Sequence, residues 1–259
     1  LKALRDTLAG TVPDLKAVAE VVLSVAGKLP DFPRETEFIA LTTPDEFALY
    51  DGDIGSTDTE SGPVSDYLNF TNEFIVPHST AKHAKHNRDS FMVGALSRVN
   101  KNFEQLSPLA KEVAGMFGLK PVCHNPYMNS VAQLVETVHT VEDSIRIINE
   151  IEETGLQPQP AYHKPDITVK AGQGAGAVEV PRGILFHDYT YDENGICTKA
   201  NCIIPTNLNH ENIQKDLEAL VPTIMDKPQE EVELLCEMLV RAYDPCISCS
   251  THYVDVHFI

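Results

Sequence analysis

Arg241-Ala-Tyr-Asp244-Pro245-Cys246-Ile-Ser-Cys249-Ser-Thr-His252 gathers the densest group of metal-ligating side chains in the chain. Cys246 and Cys249 form a Cys-x-x-Cys pair, and His252 follows at the same interval. Such a turn brings two sulfurs close enough to share one soft metal ion. Pro245 cannot continue the helix before it, so that helix ends and the thiols follow its C-terminal edge. The pair alone is a weak signal, open to half a zinc site, a thiol–disulfide pair or two core cysteines. A zinc knuckle needs a second pair, and Cys197 with Cys202 has the wrong spacing. A redox pair prefers a helix N-terminus, where the dipole lowers the thiol pKa, and this pair comes after a helix.

Composition narrows the class. With 259 residues and 42% hydrophobic side chains, the chain can bury a sizeable core. A formal net charge of -18 argues against nucleic acid and anionic membrane surfaces as partners. No run of about twenty apolar residues predicts a membrane span, and no basic-then-apolar signal opens the chain. Six cysteines with one tight pair do not read as a disulfide framework, so a reducing, cytoplasmic setting is expected.

Punctuation predicts the elements. Residues 13–27 carry an apolar helix stopped by Gly27, and a short strand lies at Phe38–Leu41. Phe47–Tyr50 and Asp51-Gly52 read as a hairpin turn, and the acidic run Asp51 to Asp66 as a solvated loop. Ser107 caps and Pro108 opens a helix ending at Gly118; Asn125 and Pro126 open a longer one closed by Gly155. His78, His83 and His86 fall beside Lys82 and Lys85, which disfavours a cation there; His139 reads as a semi-buried, hydrogen-bonded side chain. Gly172, Gly174 and Gly176 read as a loop without the helix that a phosphate site needs. Val178 to Tyr191 and Ile196 to Ile204 read as two strands of a hairpin around Asp192–Gly195. The last helix begins near Pro228, with Glu230 and Glu231 in its first turn.

The nine residues Asp-Pro-Cys-x-x-Cys-x-x-His resemble the signature of nickel–iron hydrogenase large subunits. Three further segments carry the resemblance. Glu179-Val-Pro181-Arg182-Gly183 is similar to the family's Glu-Ala-Pro-Arg-Gly element. Gly94-Ala-Leu-Ser-Arg98-Val-Asn100 is similar to its Gly-x-Leu-Ala-Arg-x-Asn segment. Pro205-Thr206 matches its Pro-Ser/Thr step. The likeness runs from about the first helix to His252, and is greatest to the soluble, multi-subunit enzymes of archaea and bacteria.

That resemblance implies an α+β fold, mainly α-helical with a small antiparallel β-hairpin sheet, as one domain over residues 1–259. It implies reversible oxidation of dihydrogen at a nickel–iron centre that carries cyanide and carbon monoxide. Cys246 would be a terminal nickel ligand and the first proton acceptor, and Cys249 a sulfur bridging nickel and iron. Arg182, flanked by Pro181 and Gly183, would stand over the open metal position. Thr206 would bond a cyanide ligand, and Asp244 would pair with Arg182 or order the site. His252 would ligate magnesium near the C-terminus. The family's N-terminal Cys-x-x-Cys has no counterpart here, and the first residue is Leu1, so the expectation is the C-terminal part of a large subunit. Processing after His252, ahead of Tyr253 to Ile259, is also expected. Partners would be an iron–sulfur small subunit and further electron-transfer subunits. The rival readings are a dihydrogen sensor built on the same site, a respiratory quinone-reductase-type relative, which would lack the cysteines, and a structural zinc protein.

Overall fold

The computed structural model describes residues 1–155 and 167–250, with Ser250 in its backbone alone. In chain order the elements are α1 (Lys2–Ala26), β1 (Glu37–Thr42), β2 (Asp53–Ser56), α2 (Tyr67–Thr71), β3 (Phe91–Met92), α3 (Ala95–Asn102), α4 (Pro108–Met116) and α5 (Asn129–Thr154). There follow β4 (Gly172–Val180), β5 (Gly183–Tyr191), β6 (Cys197–Ile203), α6 (Pro205–Ile224), α7 (Gln229–Ala242) and α8 (Ile247–Ser250). The α+β class with a small antiparallel sheet is borne out, and a second small sheet joins it. One sheet runs β2-β1-β3, with β1 antiparallel to β2 and parallel to β3; the other runs β4-β5-β6, antiparallel throughout.

Two apolar clusters hold these layers. Leu96, Val99, Leu109, Val113, Val131, Val135, Val138 and Leu239 join the helices. Ile39, Leu41, Ile54, Phe91, Ile184, Phe186, Ile203 and Leu208 join the two sheets to the start of α6. Burying a side chain of this size contributes about 1.5–3 kcal/mol, so these interdigitated rows outweigh the local propensities of short strands such as β3.

Several expectations change. α1 starts at Lys2 and carries Pro13 within it, so the proline does not set its start. The acidic stretch is not all loop: Asp53–Ser56 pairs with β1, and Ile54, Gly55 and Ser56 are buried. The hairpin expected at Asp51-Gly52 is a broad connection from β1 to β2, with Gly52 at φ +143°. The glycine run is strand, not loop: Gly172–Val180 pairs with Gly183–Tyr191. The single strand expected over Val178–Tyr191 is broken at Pro181-Arg182, where the chain reverses. Helix α6 had no counterpart in the reading, although Pro205 opens it at the position where a missing N–H costs nothing.

Two glycines let the Pro181-Arg182 turn sit against the start of α3. Gly183 lies at φ +134°, and a Cβ there would come within 2.5 Å of Val93 Cγ2. Gly94 lies at φ +117°, and a Cβ there would stand 3.3 Å from the Arg182 carbonyl oxygen. Both conformation and space therefore require glycine.

Candidate metal centre

Arg98 is the local anchor. It is 2% exposed, and its guanidinium forks onto Glu136 at 2.5 and 2.7 Å and onto Glu179 at 2.9 Å. The same group donates to the carbonyls of Val180 and Pro181, at 2.9 and 3.1 Å. A planar fork of five donors suits this task where a lysine would not. Glu179 also accepts from Leu41 N at 2.8 Å, tying the turn to β1. Burial pushes the Glu179 carboxyl up, and the Arg98 charge opposes that push. α3 thus fixes the β4–β5 turn, which carries Arg182 at its tip.

Opposite the turn lies the end of α7. Asn129 joins the start of α3 to that end, accepting from Leu96 N at 2.9 Å and donating to the Ala242 carbonyl at 2.8 Å. Tyr243 is fully enclosed; its hydroxyl donates to Asp216 Oδ2 at 2.5 Å and accepts from Asn212 Nδ2 at 2.6 Å. Arg34 pairs with Asp216 and donates to Asn212 Oδ1 at 2.6 Å, and Ser90 donates to the same oxygen at 2.7 Å. Burial raises both Tyr243 and Asp216 above their ordinary values. Buried polar groups are stable only when paired, and this network is paired throughout.

Asp244 follows at φ +50°, one of two non-glycine residues with positive φ among those described. The turn presents its backbone to Arg182, whose Nε donates to the Asp244 carbonyl at 2.6 Å. Arg182 NH2 reaches Asp244 Oδ1 at 3.3 Å, and Gln133 Nε2 reaches Oδ2 at 3.4 Å. The Arg182 and Asp244 side chains are 37% and 40% exposed, so this pair opens to a surface. Pro181 and Gln133 also line a cavity of about 370 Å³ with Phe47, Leu49, Arg98 and Glu136.

Cys246 comes next, and its backbone N–H donates to Thr206 Oγ1 at 3.0 Å. Thr206 is 2% exposed, and its hydroxyl proton remains to donate elsewhere. Cys246 directly precedes α8, and Cys249 lies inside it. The two sulfurs are paired as a disulfide, with Cα atoms 5.3 Å apart. A second short helix starts immediately beyond Cys246, so the pair lies between two helices rather than simply after one. The convergence equally suits one soft ion between two thiolates. Cys249 lines a cavity of about 160 Å³ with Glu73, Lys82, Cys202 and Asn207.

The structure thus brings together Arg182, Asp244, Pro181, Thr206, Cys246 and Cys249; His252 lies outside the described residues. These residues fit one half of a four-sulfur centre: two sulfurs, an open-facing cation and a buried hydroxyl. Among the described residues no three His, Cys, Asp or Glu side chains gather to hold a metal, so two sulfurs cannot complete that donor set. His83 bonds Glu211 and His86 bonds Glu37, each at 2.6 Å, so two of the three clustered histidines are held by carboxylates. His139 is buried and accepts from Ser107 N at 3.1 Å. Sequence reasoning missed Asn129, Gln133, Asn212, Asp216, Tyr243 and Arg34. The closely spaced Asn207, Asn209 and Asn212, all buried on α6, were the available signal.

Comparison with known proteins gives a family from sequence and a matching fold from structure. The family model for nickel-dependent hydrogenases matches residues 47–252. Sulfhydrogenase 1 subunit alpha of Pyrococcus furiosus is 32% identical, over 98% of this chain and 59% of the relative. NAD-reducing hydrogenase HoxS subunit beta of Cupriavidus necator is 31% identical, over 63% of this chain and 34% of the relative. A solved NAD+-reducing [NiFe]-hydrogenase superposes with a TM-score of 0.74 at 21% identity, covering 97% of this chain and 60% of that one. The chain spans about six-tenths of the length of that sulfhydrogenase subunit.

Proposed function

This chain belongs to the nickel-dependent hydrogenase family, and from that premise we propose that it forms the C-terminal part of a catalytic subunit that reversibly oxidises dihydrogen. The observation that carries the reading is the contact of Arg182 Nε with the Asp244 carbonyl, 2.6 Å long, which ties a guanidinium to the turn two residues ahead of the Cys246–Cys249 pair. When bound, the nickel–iron centre, with cyanide and carbon monoxide on iron, supplies the Lewis acidity and the electron sink that an apolar, weakly acidic molecule requires.

The residues of this chain then have distinct tasks. Cys246 and Cys249, as thiolates, would hold the metals, and two further sulfurs come from outside these 259 residues. Arg182 would offer a guanidinium N–H to the open metal position. Asp244 fixes that guanidinium through its carbonyl and carboxylate. Thr206 keeps the Cys246 backbone in place and has a hydroxyl proton for an anionic ligand. Cys246 Sγ holds the first proton. His252 would bind magnesium through its imidazole. Electrons leave to an iron–sulfur small subunit and further electron-transfer subunits, in the cytoplasm; no described helix is long and apolar enough to cross a membrane.

The test is co-production of the complete subunit with its small subunit, followed by dihydrogen-dependent dye reduction and metal analysis. Nickel and iron together, with activity lost in Cys249→Ser, are the expected outcome. A complete subunit that retains zinc in place of nickel would overturn the reading.

A further inference from the structure

We propose that Cys202 and His187 form a second soft-metal site, for a borderline-soft divalent ion such as nickel or zinc. The two residues are direct cross-strand partners in the β5–β6 register. Their side chains meet on one face, with His187 Nδ1 3.5 Å from Cys202 Sγ. Tyr189 lies two residues along the same face; its hydroxyl stands 2.7 Å from His187 Nδ1 and 3.6 Å from Cys202 Sγ.

Ligand geometry supports a metal at this point. A tetrahedral ion takes sulfur at about 2.3 Å and imidazole nitrogen at about 2.1 Å, which places the two donors about 3.6 Å apart. The observed 3.5 Å matches that separation without movement of either strand, and release of the Tyr189 hydroxyl from Nδ1 frees the nitrogen lone pair for the ion. Tyr189 then offers its oxygen as a third ligand, or as a hydrogen-bond partner of the sulfur, and water completes the sphere. On binding, the Cys202 S–H bond breaks, sulfur keeps the electron pair as a metal bond, and the proton passes to solvent.

Access is open. Cys202 is exposed, and β4 opposes this face with Gly172, Gly174 and Gly176 as register partners of Tyr191, Tyr189 and His187. A Cβ at any of the three glycines would meet nothing within 4 Å. Cys202 also lines the cavity of about 160 Å³ that reaches Cys249. Glu73 in that cavity is held by Lys82 at 2.6 Å and Asn207 at 2.8 Å, so it does not compete for the ion. Cys197 shares the face but pairs with Tyr191, about 13 Å further along the strand, and its thiol donates to the Lys199 carbonyl at 3.3 Å. The site does not depend on the hydrogenase reading, because none of its ligands belongs to the Cys246–Cys249 motif.

Cobalt(II) is the probe, titrated into the 259-residue chain carrying Cys246→Ser and Cys249→Ser. A near-ultraviolet thiolate-to-cobalt band is expected, unchanged by Cys197→Ser, abolished by Cys202→Ser and shifted at least tenfold in affinity by His187→Gln. Loss of the band in the Cys246/Cys249 background itself, or its survival in Cys202→Ser with an unchanged circular dichroism spectrum, overturns the proposal. Iodoacetamide labelling of the unsubstituted chain, read by mass spectrometry, avoids dependence on any variant's folding. Cobalt should slow alkylation of Cys202 and leave Cys197 unaffected; equal rates with and without cobalt also overturn it.

Discussion

Arg182 and Arg98 have the same side chain and opposite duties, and burial separates them. Arg98 is enclosed and spends its donors on Glu136, Glu179 and two carbonyls of the β4–β5 turn. Arg182 is more than a third exposed and is held chiefly by a single backbone carbonyl, at Asp244. The first fixes the turn that carries the second, and only the second is exposed enough to offer an N–H to a ligand. In the complete enzyme, Arg182→Lys should leave nickel and iron bound while turnover falls about a hundredfold, because lysine keeps the charge but loses the fork. Metal content and dihydrogen uptake, measured on one preparation, decide it; full uptake at full metal content would make Arg182 a bystander. Arg98 and Arg182 both stood out in the sequence by their motifs. Tyr243 and Asn129 did not, since single polar residues inside apolar runs carry no local sign of the partners that bury them.

The β4–β5 turn is the element on which the site depends, and although its motif stood out in the sequence, its reversal of the chain did not. Val178 to Tyr191 is rich enough in β-forming residues to read as one strand, and the Pro181-Arg182 reversal within it has none of the Asn-Gly or Asp-Gly chemistry of a common hairpin. The reversal is imposed by contacts from α3 and by the fit of Gly183 against Val93. Gly183→Ala should therefore cost about 2–4 kcal/mol, because the added Cβ meets Val93 at 2.5 Å and φ is +134°. Gly174→Ala, on the same hairpin but facing open space, should change stability by no more than about 0.5 kcal/mol. Urea unfolding of the two variants side by side tests the contrast; equal losses would mean that the turn is not held by this packing. α4 and α5, by contrast, were read from Pro108, Asn125 and Pro126, whose signals are local, although Ser107 makes no side-chain cap bond and Asn125 caps the single turn Pro126–Met128 just ahead of α5.

At the scale of the whole molecule, two properties belong to no single element. The first is the sulfur count. Cys246 and Cys249 would supply only two of the thiolates that the proposed centre needs, so the 259-residue chain by itself should show no infrared bands of metal-bound cyanide or carbon monoxide; clear bands from this chain would refute the shared-ligand reading. The second is acid sensitivity. His139 on α5 is buried, accepts from Ser107 N ahead of α4, and packs on Phe47 at 4.7 Å between ring centroids. Burial holds its pKa below the ordinary 6.5, with Asp143, Glu136 and Glu142 opposing that in part. The unfolded chain then binds the proton more readily than the folded one. The contribution of His139 is complete above about 6.5 and is lost as pH falls towards the lowered folded value. Denaturant midpoints between pH 8 and 5.5 should decline for the unsubstituted chain and decline less for His139→Gln, whose amide oxygen still accepts from Ser107; parallel curves would exclude His139 as the cause. The sequence by itself determined the family motifs, the helices with local caps and the identities of Cys246, Cys249, Arg182, Asp244 and Thr206, because short-range chemistry is written at fixed spacing. The pairing of Asp244 with Arg182 was one of two expectations, and the structure forms it; only the tertiary structure decided that Thr206 meets Cys246 N and that Tyr243 anchors the motif through Asp216. Those contacts join residues 27 to 62 positions apart, and they exist because burial of two apolar clusters forces distant polar groups to find one another rather than water.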